Sequence, residues 1–320
     1  MSAALSADGR QWRAVDTPWA TEQSGTPPAQ SFGVPRALAF GGGAFLAVGQ
    51  RVEIAEDFKQ TTFAIAARSR DGINWETIDL RPSLATASPA GLVHFGGKWL
   101  MTAEPVDGTP PRQTLMYSST DGTTWERIAT LDFRIQHLRA TTFGLFAVGW
   151  RGENNSTRWL TAASVDGSTW KSSELGLGWT SPVQSVLVEG DRVRLIVSED
   201  VTGFSKDRRA RLLSSRDGFT WQAMPTPPCF GAGDYVGPAI AALGMWAIVV
   251  ETETPKLAVS HDDGASWSCT ALNGDAFETR WGPPYLTNII DVQGKLALVG
   301  GRTIEPGAKP NWAAAIWFLS

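Results

Sequence analysis

The stretch Ser69-Arg70-Asp71-Gly72-Ile73-Asn74-Trp75 decides the fold, because versions of it occur six times along the chain. The other copies occupy residues 6–12, 119–125, 164–170, 215–221 and 260–267, and the last of them has one extra residue. The shared aspartates are Asp8, Asp71, Asp121, Asp166, Asp217 and Asp262, and the shared tryptophans are Trp12, Trp75, Trp125, Trp170, Trp221 and Trp267. Successive tryptophans lie 45 to 63 residues apart, a length that suits one four-stranded blade of a β-propeller.

The residue types in this motif predict a tight turn. The aspartate can accept hydrogen bonds from turn amides, the glycine permits a positive φ, and the tryptophan covers the turn from the following strand. The motif is therefore interpreted as structural, and six of the fifteen tryptophans are assigned to it rather than to a ligand.

Strand patterns fill the space between the motifs. Apolar hairpins with a turn-former near the middle are predicted at residues 37–49, 91–103, 137–149, 185–198, 239–252 and 289–301. A third strand follows each hairpin, at residues 61–67, 114–118, 159–163, 210–214, 256–259 and 312–319. No motif follows the last of these strands, whereas the motif at residues 6–12 precedes a strand at 13–15 with no hairpin before it.

These counts predict an all-β chain that forms a single six-bladed β-propeller over residues 1–320. Residues 1–19 would supply the outer strand of the last blade, and residues 31–320 would supply the six repeats. Closure by the N-terminal strand would leave no free sheet edge.

Composition excludes several classes of function. The net charge of -4, from 28 basic and 32 acidic residues, does not favour nucleic acid as a partner. No stretch approaches 18 apolar residues, and residues 1–12 lack the pattern of a signal peptide, so no membrane contact and a cytoplasmic location are expected. Three scattered histidines and two cysteines predict no metal and no cofactor, and allow at most one disulfide. Cys269 is interpreted as a small buried hydrophobic residue, and Cys229 is interpreted in the same way.

The motif Ser-x-Asp-(x)-Gly-x-(Thr/Ser)-Trp resembles the Asp-box, or BNR repeat, of sialidase-type β-propellers. Asp-boxes also occur in other glycoside hydrolases, sorting-receptor ectodomains and photosystem assembly factors, so the resemblance implies a fold rather than a function. In that family the box joins the third and fourth strands of a blade, on the face opposite the ligand site. The resemblance thus implies a ligand at the other face, over the central channel.

Long connections rich in turn residues are expected on that ligand face, at residues 17–35, 79–89, 174–182, 223–238 and 272–284. The side chains proposed to contact a ligand there are Trp19, Trp179, Tyr235, Glu251, Arg280 and Trp281, with Tyr285 close by. The loops between the second and third strands each carry acids followed by bases, such as Glu53 and Asp57 before Lys59. Two interpretations stay open for these loops: solvated local ion pairs, or a carboxylate-rimmed mouth that binds a cation or a polyol.

Sialidase chemistry is the catalytic alternative that the resemblance implies. It would need an arginine cluster for a carboxylate, a tyrosine nucleophile assisted by a glutamate, and an aspartic acid. Arg36 would belong to the cluster, Tyr285 would be the nucleophile, Asp57 the acid, and Glu199 or Glu251 the assisting glutamate. The Arg-Ile-Pro signature of that family is absent, since Arg36 follows Val34-Pro35.

The function predicted from the sequence is therefore a non-catalytic recognition scaffold, which acts as a monomer and binds a protein or a carbohydrate on its loop-rich face. A sialidase-like glycoside hydrolase is the alternative.

Overall fold

The structure is a computed structural model. It describes residues 3–5, 13–15, 22–24, 29–55, 57–106, 113–152, 156–177, 182–200, 208–231, 234–242, 244–251, 255–272, 285–292, 295–305 and 311–318. The chain divides into two compact units, Met1–Gly176 and Leu177–Ser320.

The first unit holds four antiparallel sheets. The first sheet pairs β1 (Ala3–Leu5) with β2 (Arg13–Val15). The second has five strands, β3 (Glu22–Ser24), β4 (Ala29–Gly41), β5 (Ala44–Ile54), β6 (Gln60–Ser69) and β7 (Glu76–Asp79), and is followed by α1 (Arg81–Leu84). The third has β8 (Ala87–Phe95), β9 (Lys98–Pro105), β10 (Thr114–Ser119) and β11 (Glu126–Leu131). The fourth has β12 (Arg134–Thr141), β13 (Gly144–Arg151), β14 (Arg158–Ser164) and β15 (Lys171–Glu174).

The second unit holds three antiparallel sheets. The first has β16 (Val183–Glu189), β17 (Arg192–Asp200), β18 (Arg208–Ser215) and β19 (Gln222–Met224). The next has β20 (Tyr235–Ala242), β21 (Met245–Glu251), β22 (Lys256–Ser260) and β23 (Ser268–Ala271). The last has β24 (Tyr285–Val292), β25 (Lys295–Glu305) and β26 (Asn311–Phe318).

Sheet packing explains why the second strand of a hairpin can read as a continuous apolar run, as β13 does. Such a strand is buried on both faces, so it has no polar face to alternate with its apolar face. In β13 the run from Gly144 to Gly149 is buried throughout, and Phe146 and Val148 are fully covered. The fully buried Phe133 and the buried Leu138 belong to one core cluster with residues of the preceding sheet.

Five turns with the sequence Ser-x-Asp-Gly, or its longer form, lie in the described residues, and their hydrogen bonds agree with the turn predicted for the motif. In the turn that follows β10, the Gly122 amide donates to Ser119 Oγ at 2.8 Å. The amides of Thr123 and Thr124 both donate to Asp121 Oδ1, at 2.8 and 2.9 Å. Trp125 Nε1 donates to the Gly122 carbonyl at 3.2 Å, so the indole closes the turn. The first copy, with Asp8 and Trp12, lies outside the described residues.

The hairpins and the third strands predicted from the sequence are confirmed, but the predicted closure of the last sheet is wrong. Arg13–Val15 pairs with Ala3–Leu5, whereas the sheet that contains Asn311–Phe318 has three strands and neither of these N-terminal segments. Pairing across the short segment 6–12 closes a much smaller loop than pairing with a strand near residue 315, and a smaller loop loses less entropy.

Two further findings concern elements that the sequence pattern does not reveal. Residues 29–35, which are expected to lie in a loop, belong to β4. The one helix of the described residues, Arg81–Leu84, has four residues, and no described helix is long and apolar enough to cross a bilayer.

Candidate functional site

A β-bulge interrupts the first strand of every described hairpin at the same register. On β4, Pro35 pairs with Gly49 and Ala37 with Val48, so Arg36 is the extra residue. The extra residues of four other first strands are Ala90, Gln136, Gln184 and Thr287. On β20, Gly237 and Pro238 together lie opposite Val249. A bulge bends its strand and redirects the side chain of the extra residue, and bulges are common beside binding sites. The hairpin predicted at residues 37–49 begins one residue after Arg36, so the bulge was not predicted from the sequence.

Gly149 shows how tightly the strands approach at this register. Gly149 pairs with Ile135, and a Cβ placed on Gly149 would lie 1.9 Å from the carbonyl oxygen of Arg134. A glycine is therefore required at position 149, beside the bulge of β12.

A cavity of about 520 Å³ lies over three of these bulges in the first unit. The residues that line it are Arg36, Ser88, Pro89, Ala90, Gly91, Thr102, Glu104, Arg134, Ile135, Gln136, Leu138 and Trp150. They come from β4, β8, β9, β12 and β13, near the bulges of β4, β8 and β12.

Arg134 is held in one position by its neighbours. Its Nε donates to Glu104 Oε1 at 2.6 Å, and its guanidinium carbon lies 5.6 Å from the centre of the Trp150 ring. The side chains of Arg134 and Glu104 are 36% and 27% exposed, so this ion pair is screened less by solvent than one on an open surface. The positive charge of Arg134 is thereby balanced by Glu104.

Arg36 has no such balance. Its guanidinium Nη2 donates to Gln50 Oε1 at 3.4 Å, and no carboxylate of the described residues forms an ion pair with it. The side chain is exposed at the mouth of the cavity. Because a guanidinium offers a planar fork of donors, Arg36 presents an open site for a carboxylate or a similar anion.

None of the other proposed catalytic residues is among the described residues that line this cavity. Asp57 lies in the β5–β6 connection, where its Oδ1 accepts the Lys59 amide at 3.1 Å, and it is not among the residues that line the cavity. Glu199 is paired with Arg211 at 3.7 Å in the second unit. Glu251 ends β21, and burial raises its pKa.

The remaining candidates are located only in part. Tyr285 is the first residue of β24, and Tyr235 is the first residue of β20. Each lies two residues before the bulge of its strand. Arg134 occupies the same position on β12. The other four proposed ligand contacts lie outside the described residues, and they are Trp19, Trp179, Arg280 and Trp281.

Arg134 and Trp150 also line the cavity, and neither was predicted from the sequence. The two residues pair directly across the β12–β13 ladder. The sequence did contain a pattern that points to Arg134. Like Tyr235 and Tyr285, Arg134 is the first residue of the first strand of a hairpin. This pattern becomes visible only when the hairpins are aligned on their bulges.

The two cysteines form a disulfide, which joins Cys229 in the connection after β19 to Cys269 on β23. Cys269 is exposed, so its interpretation as a small buried hydrophobic residue is wrong. The interpretation fails because β23 is the outer strand of its sheet, where all four residues are exposed. Cys229 is half-buried and packs against a core cluster.

No protein-family model and no curated protein matches the chain. Solved structures of β-propeller proteins do match it. YCF48 bound to D1 peptide is 15% identical with a TM-score of 0.58, over 91% of this chain and 80% of that one. The phage phi92 endosialidase is 11% identical with a TM-score of 0.44, over 84% and 50% of the two chains. The β-propeller domain of the trilobed protease from Pyrococcus furiosus is 12% identical with a TM-score of 0.41, over 89% and 95%. At such identities the similarity to YCF48 establishes the β-propeller fold and nothing about the ligand.

Proposed function

We propose that this chain is a six-bladed β-propeller with Asp-box turns, and that it works as a non-catalytic recognition scaffold. Six hairpins with a bulge at one common register support the six-blade assignment. The hydrogen bonds of the five described turns support the Asp-box assignment.

The open guanidinium of Arg36 carries the functional proposal. One arginine of the cavity is neutralised by Glu104, and the other is held at the mouth by an amide oxygen alone. A ligand with a carboxylate would supply the missing partner of Arg36. Its apolar part would contact Trp150 and Leu138 in the cavity wall. A segment of a protein fits this description, and YCF48, the structure with a similar fold, is bound to a peptide. A carbohydrate bearing a carboxylate is the other ligand with this chemistry.

Hydrolysis of a glycoside is the weaker alternative. Glycosidases of the usual kind need two carboxylates at the scissile bond, whereas Glu104 is the one carboxylate among the described residues that line the cavity. The carboxylate of Glu104 is already occupied, because its Oε1 pairs with Arg134 Nε at 2.6 Å. A sialidase-like site would instead use Tyr285, Asp57 and Arg36.

Location remains a separate proposal. A cytoplasmic site was expected from the sequence, but the disulfide favours an oxidising compartment, because cytoplasmic thiols are kept reduced. Action as a monomer without membrane contact stays a prediction.

An array of random twelve-residue peptides, followed by fluorescence anisotropy with the strongest binder, tests the proposal. We expect Arg36→Ala to weaken binding at least tenfold and amidation of the ligand carboxylates to have the same effect. Arg151→Ala serves as the matched control, since Arg151 is an exposed arginine already paired with Asp132 at 2.6 Å. Equal binding by Arg36→Ala and the wild type would refute the proposal. Turnover of a fluorogenic sialoside that is lost in Tyr285→Phe and Arg36→Ala would establish the enzymatic alternative instead.

A further inference from the structure

The hairpin of β5 and β6 extends beyond the strand that covers its outer side. β5 and β6 pair over ten consecutive residue pairs, from Phe45 with Ser69 to Ile54 with Gln60. On the other side of β6, β7 pairs only with Ile65, Ala66, Ala67 and Arg68. The end of β6 from Gln60 to Phe63 is therefore the edge of its sheet.

The direction of the backbone groups on this edge follows from one hydrogen bond. The Leu80 amide donates to the Ala64 carbonyl at 3.2 Å, so the backbone N–H and C=O of Ala64 point away from β5. Since these groups alternate along a strand, those of Thr62 and Gln60 point outward as well. No described residue pairs with the outward backbone groups of Gln60 and Thr62.

The side chains on this edge do not protect it from a further strand. Proteins commonly block exposed edges with charged residues or proline. The corresponding edge of β18, where β19 does not reach, reads Arg208-Arg209-Ala210-Arg211. The edge of β6 reads Gln60-Thr61-Thr62-Phe63, with no charged residue, and its first three residues are exposed. Arg81, which pairs with Asp79 at 2.7 Å, covers only the inner end of this edge, where its guanidinium carbon lies 4.3 Å from the centre of the Phe63 ring.

Phe58 at the tip of the same hairpin is an independent observation that points to a partner. The side chain is 80% exposed, and the backbone has φ of 62°, a region that a bulky residue rarely adopts. The conformation is fixed by hydrogen bonds from the Phe58 amide to the Ala55 carbonyl at 2.9 Å and from the Ala55 amide to the Lys59 carbonyl at 3.0 Å. A glycine would adopt this backbone conformation without strain, so the strained backbone of Phe58 lowers the stability of the free protein.

We propose that the edge from Gln60 to Phe63, together with Phe58, is a second docking surface that binds an extended, uncharged peptide segment of a partner protein. The segment adds a strand beside β6, and its backbone pairs with Gln60 and Thr62. An apolar side chain of the segment covers Phe58. This site is separate from the cavity at Arg36 and does not depend on the function proposed for that cavity.

The test uses a fluorescein-labelled peptide of alternating threonine and valine, and the same peptide with N-methyl groups on alternate residues as the probe that cannot pair. We expect the first peptide to bind the full chain and the second to bind at least tenfold more weakly. Hydrogen exchange should show protection of the Gln60 and Thr62 amides in the complex with the first peptide.

Variants separate this surface from the rest of the molecule. Thr62→Pro removes an outward N–H that β5 does not use, so it should abolish binding with little change in melting temperature. Phe58→Gly should weaken peptide binding several-fold and raise the melting temperature. A variant that is more stable but binds more weakly would show that Phe58 serves binding rather than folding. Val165→Ser is the control for an exposed apolar residue, because Val165 is 76% exposed, and it should bind the peptide like the wild type. Arg36→Ala, in the separate cavity, should also bind the peptide like the wild type. Absence of binding at millimolar peptide, or binding that Thr62→Pro leaves unchanged, overturns the proposal.

Discussion

At the scale of the residue, the turn aspartates show how backbone amides control an exposed carboxylate. The amides of Asn74 and Ile73 hold the pKa of Asp71 well below its usual range, and amides two and three residues along do the same for Asp166 and Asp217. These carboxylates are exposed, so burial has little part in the effect. Each aspartate accepts hydrogen bonds from turn amides that have no backbone acceptor, and these bonds favour the charged carboxylate.

Replacement of one such aspartate should destabilise the fold by about as much as the loss of a helix cap. We expect Asp121→Ala to lower the free energy of unfolding by about 1 kcal/mol, because two amides lose their acceptor but remain open to water. Urea unfolding provides the measurement. Asp132→Ala is the control, since Asp132 is 69% exposed and pairs with Arg151, and it should change stability by less than about 0.5 kcal/mol. Equal effects of the two substitutions would contradict the role given to the turn.

Acid should weaken the fold through the same groups. Hydrogen bonds from the hydroxyl and amide of Ser266 lower the pKa of Asp262 to about 2, whereas an unfolded aspartate titrates at about 3.9. Between these values the unfolded chain binds more protons, so this contribution to stability is present above about pH 4 and declines as the pH falls towards 2. Chemical unfolding at a series of pH values should show a smaller acid-dependent loss for Asp262→Asn than for the wild type. An identical pH profile for the two proteins would assign the acid sensitivity to other groups.

At the scale of the element, the extra residue of the last turn has a defined role. Asp263 adopts φ of 62° and forms an ion pair with Arg194 of β17, whose side chain is 3% exposed. Arg194 also lies 3.8 Å from the centre of the Trp246 ring, and Trp246 Nε1 donates to Glu189 Oε2 at 2.7 Å. In the first unit, Leu46 and Leu100 occupy the register position that Arg194 holds on β17. A Cβ placed on the turn glycine of the next sheet, Gly122 or Gly167, would lie 3.2 Å from the respective leucine. The longer turn thus replaces an apolar contact between sheets with an ionic one.

Removal of the Asp263 carboxylate alone should therefore lower the free energy of unfolding more than removal of the charges of both Asp263 and Arg194. We expect Asp263→Ala to lower stability by about 2 kcal/mol, below the roughly 3–5 kcal/mol of a fully buried pair because Asp263 is 48% exposed. Deletion of Asp263 combined with Arg194→Leu restores the arrangement of the first unit and should be milder than the sum of the single changes. Urea unfolding of the wild type, the Asp263 deletion, Arg194→Leu and the combined variant gives a double-mutant cycle. Additive effects would show that the two residues do not act together.

The elements that the sequence predicted are those set by local patterns. Turn residues and strand periodicity located the hairpins, the third strands and the turns, because neighbouring residues determine these features. The partner of Arg13–Val15 was not predicted correctly, since pairing depends on competition between a near and a distant strand. The cavity was predicted in part. Arg36 was identified by its chemistry, whereas Arg134 and Trp150 are brought beside it by bulges that no residue type marks.

At the scale of the whole molecule, the disulfide is the covalent link between two sheets of the second unit. It joins residues 40 apart in sequence, and Trp267 Nε1 reinforces the same contact by donating to the Pro225 carbonyl at 3.2 Å. Closing a loop of this length restricts the unfolded chain, and the chain-entropy relation sets an upper value of about 4 kcal/mol for the resulting stabilisation. The large apolar core of the unit, which includes the fully buried Trp246, Leu195 and Ile248, does not need the bond in order to form.

The chain should consequently fold without the disulfide but unfold at lower denaturant. We expect the double variant Cys229→Ser with Cys269→Ser to keep its β-sheet spectrum and to lose up to about 4 kcal/mol of stability in urea. Dithiothreitol should lower the midpoint of the wild type towards that of the variant and leave the variant unchanged, which separates the bond from the effect of serine in place of cysteine. Mass spectrometry under non-reducing conditions gives the second readout. Two free thiols in the protein recovered from its native compartment would remove the argument that it folds under oxidising conditions, because the disulfide is the observation on which that argument rests.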